Sequence, residues 1–482
     1  MTPDARDPIP SLESFPANVR SALRNDGQRE ALRHATSLIH MRRGEAVERV
    51  PDWQELRTHA KEIKAATLAN LDHWLERFEQ NAKANGTQVH WAQTSEEAND
   101  IIADIAARSN AQTLVKSKSM TTEETGLNEY LEARGHRVIE TDLGEYIIQL
   151  AGEAPSHIIV PAIHKSRDEI GELFARTLDV EHSRDPVQLT GVARQRLRDE
   201  FARADMGISG ANFAIAETGS FLVLENEGNA RLCTSLPKVH VALIGIEKVI
   251  PKLTDLDTFL RLLPRSGTGQ RLTSYQTIFT GPRVEGREGP EELHVVLLDN
   301  GRNTMLKDSL SREALACIRC GACLNVCPVY GEIGGHAYAS VYPGPIGSVI
   351  TPMLRGGDAA HQLPFASSLC GSCRDVCPVG IDLPALLLRL RSEIKSGDGP
   401  GSSKLERSGF GVWAFLMSGP KRYACLQWLL QLSRPFLRWP ATRALLSRLV
   451  PPLAAWTAAR DLRPPAQRSF RQLWQAQEES RP

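Results

Sequence analysis

Two short stretches of sequence, CIRCGACLNVCP at residues 317–328 and CGSCRDVCP at residues 370–378, hold seven of the nine cysteines of this 482-residue chain. In the first stretch the cysteines are spaced by two, two and three residues, and the last precedes a proline. The second stretch repeats the later part of this pattern. Three thiolates at such spacing lie on a tight loop that wraps three corners of an iron–sulfur cubane, while the cysteine before the proline reaches a second cluster. The pattern predicts two cubane clusters on one small ferredoxin-type domain.

The same geometry assigns every thiolate of the two stretches to a cluster. Cluster one takes Cys317, Cys320, Cys323 and Cys377. Cluster two takes Cys327, Cys370 and Cys373, and Ser367 stands where its fourth cysteine is missing. Three outcomes are open for cluster two: a serine or other oxygen ligand, an iron with an open site, or a three-iron cluster. His361 is a weaker candidate for the fourth ligand.

Other uses of the cysteines fit the sequence less well. Nine cysteines are too few for a disulfide scaffold in a chain of this length, and only Cys233 and Cys425 lie outside the two stretches. Structural zinc normally uses paired C-x2-C units rather than four cysteines that end before a proline. Cys233 is better explained as a small buried residue than as a nucleophile.

Composition and charge exclude several classes of function. The chain is 41% hydrophobic and 24% charged, with a formal net charge of zero, so a global charge argument for nucleic-acid binding fails. Residues 1–10 contain neither a basic nor an apolar segment of a secretory signal. No apolar stretch has the length of a spanning helix. We expect a cytoplasmic protein that binds no nucleic acid, with peripheral membrane contact left open.

Around the cysteines the chain divides into four regions. Residues 1–85 are predicted to form a helical arm, with one continuous packing helix over 53–83. Residues 86–300 are predicted to form an α/β domain, and residues 301–396 the two-cluster domain. Residues 405–482 are predicted to form a helical C-terminal domain. Strands alternating with helices indicate an α/β layer with a partly parallel sheet. The predicted strands are 87–92, 113–117, 137–141, 157–163, 213–216, 221–224, 239–245 and 293–298, and the predicted helices are 95–108, 122–134 and 166–175. The long gap between the two cysteine stretches is predicted to hold helices.

Two places in the α/β region are candidate binding sites. A capping box of Thr121 with Glu124 would open a helix next to residues 117–119, a plausible anion site. The polar segment 207–245 contains Glu217, a candidate acid or base, and Arg231, a candidate carboxylate ligand; the alternative is a solvated rim of hairpin loops. Three histidines fit better as core residues than as catalytic ones: His157, His164 and His240.

The C-terminal region is rich in tryptophan and arginine. It contains Trp413, Trp428, Trp439, Trp456 and Trp474, interleaved with Arg434, Arg438, Arg443 and Arg448. Such a stretch can lie on anionic lipid, or it can pack on the ferredoxin domain or on a partner. Its prolines at 435, 440, 451 and 452 are predicted to break it into short pieces, which favours packing.

Three segments together carry a family resemblance. They are GANFAIAETGSFLVLENEGNARLCTSLPKVHVALIGIEKVI at 210–250, YPGPIG at 342–347 and FASSLCGSCRDVCPVGIDLP at 365–384. The chain resembles the lactate utilisation protein B family from about residue 15 to 475. The resemblance implies a sugar-isomerase and CoA-transferase-like α/β domain, a dicluster ferredoxin domain and a short C-terminal domain. It also implies that a serine at 367 is normal in the family.

The resemblance further implies a role as the iron–sulfur subunit of a bacterial complex that oxidises L-lactate to pyruvate. The implied partners are a cysteine-rich subunit of the heterodisulfide-reductase type and a smaller paralogue of the α/β domain. Two alternatives are kept. One is an enzyme in its own right, acting on a hydroxy acid or an acyl donor through Glu217 and Arg231. The other is an iron–sulfur redox sensor or scaffold. Whether the subunit itself is catalytic stays open.

Overall fold

The computed structural model describes residues 15–356, 360–397, 399–449, 453–454, 457, 460–461 and 463–480. The chain forms two compact units, one up to Gly401 and one from Ser402 on. The first unit holds the α/β region together with the cysteine region. The second unit holds the tryptophan-rich C-terminal helices, and each unit is described by itself.

Helices open the first unit, with bounds Phe15–Arg24, Asp26–Glu48, Trp53–Ala69 and Leu71–Ala84. The prediction of one helix over 53–83 is wrong at Asn70. This residue leaves helical geometry (φ −133°, ψ 41°) and its N–H bonds to the Thr67 carbonyl, which closes one helix before the next begins. Phe78 and Ala82 of the last helix are fully buried, so this arm is part of the core.

Ten strands follow in the part of the chain that the structure describes. They are β1 (Gln88–Ala92), β2 (Thr113–Lys116), β3 (Arg137–Glu140), β4 (Met206–Ser209), β5 (Phe213–Ile215), β6 (Ser220–Glu225), β7 (Val239–Gly245), β8 (Val249–Ile250), β9 (Tyr275–Phe279) and β10 (Glu292–Leu298). Six of them form a parallel sheet in the order β1-β10-β7-β4-β2-β3. The predicted α/β layer with a parallel sheet is thus confirmed.

Helices cover both faces of the parallel sheet, as parallel sheets require. Their bounds are Ser95–Arg108, Met120–Thr125, Leu127–Glu132, Leu143–Ala151, Arg167–Leu178 and Pro186–Arg203. On one face Ile102 and Leu127 pack against Leu114 and Val241; on the other, Phe174 and Leu197 belong to a separate buried cluster.

A second, smaller sheet has the order β8-β5-β6-β9 and is mostly antiparallel. It packs with the N-terminal helices and with helix Leu256–Thr268 in one large core, which contains the stacked rings of Phe213 and Phe259. Helix Asn229–Ser235 connects β6 to β7. The same core continues into the cysteine region, so the α/β fold and the cysteine loops share one interior.

Most predicted strands are present with bounds shifted by a residue or two, but residues 157–163 form turns instead. The cause is the His157 side chain, whose Nδ1 accepts hydrogen bonds from the backbone N–H groups of Ile159 and Val160. A ring that bonds its own following backbone competes with strand pairing. Strands β4, β8 and β9 were not predicted.

The cysteine region is built from short helices, as predicted for the gap between its two motifs. Their bounds are Arg302–Lys307, Ala322–Asn325, Tyr330–Ile333, Gly344–Arg355, Ser372–Val376 and Leu383–Ser396. The N-terminal arm braces this region: Arg43 donates to the Val376 carbonyl at 2.9 Å and Arg57 to the Cys377 carbonyl at 2.9 Å.

The second unit contains helices Lys404–Met417, Pro420–Arg438, Pro440–Leu449 and Phe470–Glu479. The helix that contains Pro435 continues through it, so the prediction of a break there is wrong, while Pro440 begins a helix as expected. Trp456, Pro451, Pro452 and the side chain of Arg443 lie outside the described residues. Among the described helices, none combines the length and the apolar character needed to cross a membrane.

Candidate metal centre

The two cysteine loops have the same backbone conformation. In the first, Arg319 (φ +59°) and Gly321 (φ +71°) flank Cys320; in the second, Leu369 (φ +56°) and Gly371 (φ +90°) hold the same places. Left-handed geometry is costly for arginine and leucine, and its recurrence at matching positions marks a loop shape that the site requires.

Ser367 occupies the position in the second loop that Cys317 has in the first. The Arg319 N–H donates to Cys317 Sγ at 3.4 Å, and the Leu369 N–H donates to Ser367 Oγ at 3.1 Å. The serine oxygen and the cysteine sulfur are therefore held by equivalent backbone hydrogen bonds in equivalent loops.

Four thiols from the two motifs surround one small cavity. Cys317, Cys320 and Cys323 line it together with Cys377, and Ile158 of the α/β domain forms part of its apolar wall. Burial, and less strongly the nearby Cys317, raise the pKa of the Cys377 thiol to about 11. The structure brings together the four residues that the spacing assigned to cluster one.

The remaining three thiols lie near one another. Burial and the neighbouring sulfurs of Cys327 and Cys370 raise the pKa of Cys373 to about 12. Cys370 is exposed, and its hydrogen bond with Ser372 Oγ lowers the pKa of its thiol. The second set therefore opens toward solvent at Cys370, whereas Cys327 and Cys373 are 8% and 7% exposed and so are as buried as Cys320 and Cys377 of the first set.

The chemistry of both sets fits iron–sulfur clusters. The cysteines are free thiols, and buried thiolates so close together repel one another unless a shared cation offsets their charge. Iron prefers such soft sulfur ligands. Backbone N–H groups also point at the sulfurs, from Tyr330 to Cys327 at 3.5 Å and from Ile381 to Cys377 at 3.4 Å, as is usual around clusters.

A buried ion network ties the first cysteine loop to the α/β domain. Arg302 bonds Glu247 at 2.5 Å and Glu124 at 2.8 Å, while Arg319 lies 3.4 Å from the other oxygen of Glu247. The Tyr342 hydroxyl donates to Glu124 at 2.6 Å. Burial acts to raise the pKa of Glu247, but the two arginines outweigh it and hold the pKa at about 2.

The candidate catalytic residues of the α/β region do not meet in the structure. Glu217 is exposed and accepts a hydrogen bond from the Leu253 N–H at 2.9 Å. Arg231 is exposed with its guanidinium over the Tyr275 ring, 5.1 Å from the centroid. The two side chains therefore contact different neighbours, as expected for residues on a solvated rim of loops.

The predicted anion site is also altered. Ser119, rather than Thr121, caps the helix by accepting from the Thr122 N–H, so the predicted capping box is wrong. Lys118 donates to the Ile159 carbonyl at 2.9 Å and lies 3.6 Å from Glu145. Because this lysine already donates to a carbonyl oxygen and has the Glu145 carboxyl group beside it, its surroundings do not favour a bound anion.

Three of the residues set aside as structural are buried, and the fourth, His164, is half-buried. His240 is fully buried with its Nε2 2.7 Å from Ser209 Oγ, and His157 is 1% exposed. His164 contacts the carboxylate of Glu153 at 2.7 Å. Cys233 is fully buried, and burial raises the pKa of its thiol to about 12, which disfavours a nucleophile.

The described residues of the first unit also line two larger cavities. One of about 550 Å³ is rich in arginine, with five guanidinium groups from Arg42, Arg49, Arg261, Arg265 and Arg271 against the carboxylates of Glu45 and Asp52. The other, of about 340 Å³, is acidic and lies where the α/β domain meets residues 335–341. Neither cavity could be predicted from the sequence, because their linings come from distant segments.

Comparison with known families covers nearly the whole chain. The LUD domain matches residues 75–298, the 4Fe-4S dicluster domain residues 313–381, and the C-terminal domain of lactate utilisation protein B residues 389–479. Lactate utilization protein B of Shouchella clausii is 44% identical over 96% of this chain and 97% of its own length. This chain belongs to the lactate utilization protein B family.

Further relatives agree with this family. Lactate utilization protein B of Bacillus subtilis is 43% identical over 97% of each chain, and that of Lysinibacillus sphaericus is 44% identical over 96% of each chain. A crystal structure of a DUF162 family protein from Deinococcus radiodurans covers 47% of this chain and 98% of its own, at 15% identity and a TM-score of 0.28. The family resemblance and the iron–sulfur character are confirmed, as is the combination of an α/β, a dicluster and a helical C-terminal domain.

Proposed function

We propose that this chain is the iron–sulfur electron-transfer subunit of a complex that oxidises L-lactate to pyruvate and allows growth on lactate. The observation that carries the proposal is the gathering of seven thiols into two neighbouring sets within a dicluster domain. The relatives are named for lactate utilization, and this name supports lactate as the compound oxidised by the complex. Bound clusters would supply one-electron transfer. The exposed Cys370 makes the second set the natural point of electron exchange with a partner.

Deleting the gene should abolish growth on L-lactate and leave growth on pyruvate intact, because only the oxidation step would be lost. Growth curves on the two carbon sources measure this. Reintroducing the wild-type gene should restore growth, and a Cys320→Ala gene should not. Normal growth of the deletion strain on lactate, with no second lactate oxidase present, would contradict the proposal.

We also propose how the clusters are held. Cluster one would be held by Cys317, Cys320, Cys323 and Cys377, and cluster two by Cys327, Cys370, Cys373 and the Ser367 oxygen. The support for Ser367 is its match to Cys317 in loop conformation and in the backbone hydrogen bond that it accepts. His361 has no such match to a cysteine of the first loop.

Replacing Ser367 with alanine should cost cluster two its fourth iron, because the oxygen ligand is removed while the loop keeps its backbone bonds. Anaerobically purified Ser367→Ala should contain about one iron less per chain and give the EPR signal of a three-iron cluster after mild oxidation. Ser367→Cys, with a thiolate in place of the hydroxyl, should keep four irons in cluster two. An unchanged spectrum of Ser367→Ala would exclude the serine as a ligand.

The proposal includes partners. A cysteine-rich subunit of the heterodisulfide-reductase type and a smaller α/β paralogue would exchange electrons with this chain in the cytoplasm, with any membrane contact made through them. The C-terminal unit supports partner binding, because it exposes large apolar side chains such as Phe436 and Trp439, each 71% exposed. Co-purification of tagged full-length protein with and without residues 405–482 tests this; loss of both partners only from the shortened chain is expected.

A further inference from the structure

The acidic cavity lies at the carboxyl end of the parallel sheet. Lys116 and Glu140, the last residues of β2 and β3, are paired in register, and Glu140 lines the cavity with Asn128 and Glu145. The opposite wall comes from residues 335–341 of the cysteine region. The carboxyl ends of parallel strands are where α/β folds bind small ligands.

Three buried acceptor atoms in the lining have no hydrogen-bond partner within the described part of the chain. They are Asn128 Oδ1, Glu140 Oε2 and Glu145 Oε1. Glu140 and Glu145 are only 2% and 3% exposed. A buried polar atom left without a partner is destabilising, so three around one cavity point to an occupant that bonds them.

The donors nearby are already committed. Lys116, which is fully buried, contacts Glu123 at 2.8 Å and Glu140 at 2.7 Å. Glu153, also in the lining, is satisfied by Lys165 at 2.6 Å and by His164 at 2.7 Å. Lys118 Nζ lies 3.6 Å from Glu145 Oε1, beyond hydrogen-bond reach, so hydroxyl groups of a ligand would supply the donors that these acceptor atoms lack.

We propose that this cavity binds a small uncharged polyhydroxy compound, whose hydroxyl groups donate to Asn128, Glu140 and Glu145. A carboxylate ligand such as L-lactate brings acceptors and negative charge to a lining that already holds both, and it is disfavoured. The site is thus separate from lactate chemistry and does not depend on the proposed electron-transfer role.

The electrostatics favour an uncharged ligand over an ammonium compound. Burial raises the pKa of Glu145 to about 8, so this side chain is largely neutral at pH 7 and the cavity is less negative than its residue types suggest. Lys116 contacts both Glu123 and Glu140 and offsets one of their two charges, while burial raises the pKa of Glu140 and so favours its neutral form.

Titration calorimetry of the iron-loaded full-length protein with erythritol and with L-lactate tests the proposal. We expect millimolar erythritol binding at least tenfold tighter than any L-lactate binding to this cavity. Val341→Trp, which fills the cavity from its cysteine-region wall, should abolish erythritol binding. The matched control Val187→Trp, at a position 79% exposed on an α/β helix, should leave it unchanged.

Asn128→Leu provides a second variant, since at nearly constant volume it removes the Oδ1 acceptor and the bond from Nδ2 to Glu140 Oε1; erythritol binding should weaken at least fivefold. The proposal is overturned if erythritol does not bind, if it binds Val341→Trp as well as wild type, or if L-lactate competes with it. Lactate bound in the arginine-rich cavity would be insensitive to Val341→Trp and would not compete. Iron content and EPR of each variant, measured in parallel, report the clusters independently.

Discussion

Replacing Cys377 with alanine should remove cluster one while cluster two survives, although Cys377 belongs to the second cysteine motif. In the structure Cys377 lines the same cavity as the three leading cysteines of the first motif. Cys373, four positions earlier in the same motif, instead lies by Cys327 and Cys370. The expected result is loss of about half of the iron together with the EPR signal of one cluster.

The reciprocal variant makes this a test of the crossed arrangement. Cys327→Ala, in the first motif, should remove the signal that Cys377→Ala keeps. Cys233→Ala and Cys425→Ala serve as controls, because these two cysteines lie outside both sets and should leave iron content at the wild-type level. If Cys377→Ala and Cys373→Ala removed the same signal, each motif would hold its own cluster and the crossed arrangement would be wrong.

Both cluster variants should also lose lactate-dependent electron flow in the purified complex, because a relay of two carriers fails when either is missing. Reduction of an artificial acceptor by the complex in the presence of L-lactate measures this. An activity above a tenth of wild type in Cys377→Ala, with cluster one absent, would mean that electrons bypass this cluster.

The grouping of the thiols was predictable because the information is local. Residue spacing fixes which thiolates share a tight loop, and the proline after Cys377 directs that residue away from its neighbours. The match between Ser367 and Cys317 could be counted from the sequence for the same reason. The hydrogen bonds that equate them, however, are visible only in the structure.

The ion network and the acidic cavity could not be predicted, because their members are far apart in the chain. Glu124 and Arg302 form an ion pair although most of the α/β domain separates them in sequence, and no pattern in either segment indicates the other. The strand wrongly predicted over 157–163 shows the opposite failure, since an apolar run suggested pairing while the His157 ring favoured a turn. Strand β9 was missed because its side chains are mostly exposed or half-buried, so no buried apolar pattern marks it.

Replacing Glu247 with glutamine should destabilise the first unit more than most single substitutions do. The carboxylate is 1% exposed and is shared by Arg302 and Arg319, so its removal leaves the buried Arg319 with a neutral partner, while Arg302 keeps Glu124. Breaking a buried pair in this way costs about 3–5 kcal/mol. The expected drop in the apparent melting temperature is about 5 °C or more, measured by calorimetry under anaerobic conditions.

The loss of stability should extend to cluster one, because Arg319 lies between Cys317 and Cys320 and has left-handed backbone geometry there. Glu247→Gln should therefore lose cluster one on air exposure faster than wild type, while cluster two decays at the wild-type rate. The matched control is Glu291→Gln, which breaks an exposed pair with Arg283 and should cost no more than about 1 kcal/mol. Equal melting temperatures for the two variants, with equal decay of both clusters, would mean that the network stabilises neither the unit nor the loop. A lower melting temperature without selective loss of cluster one would mean that Glu247 stabilises only the α/β core. Its ion pair with Arg319 would then not stabilise the cysteine loop.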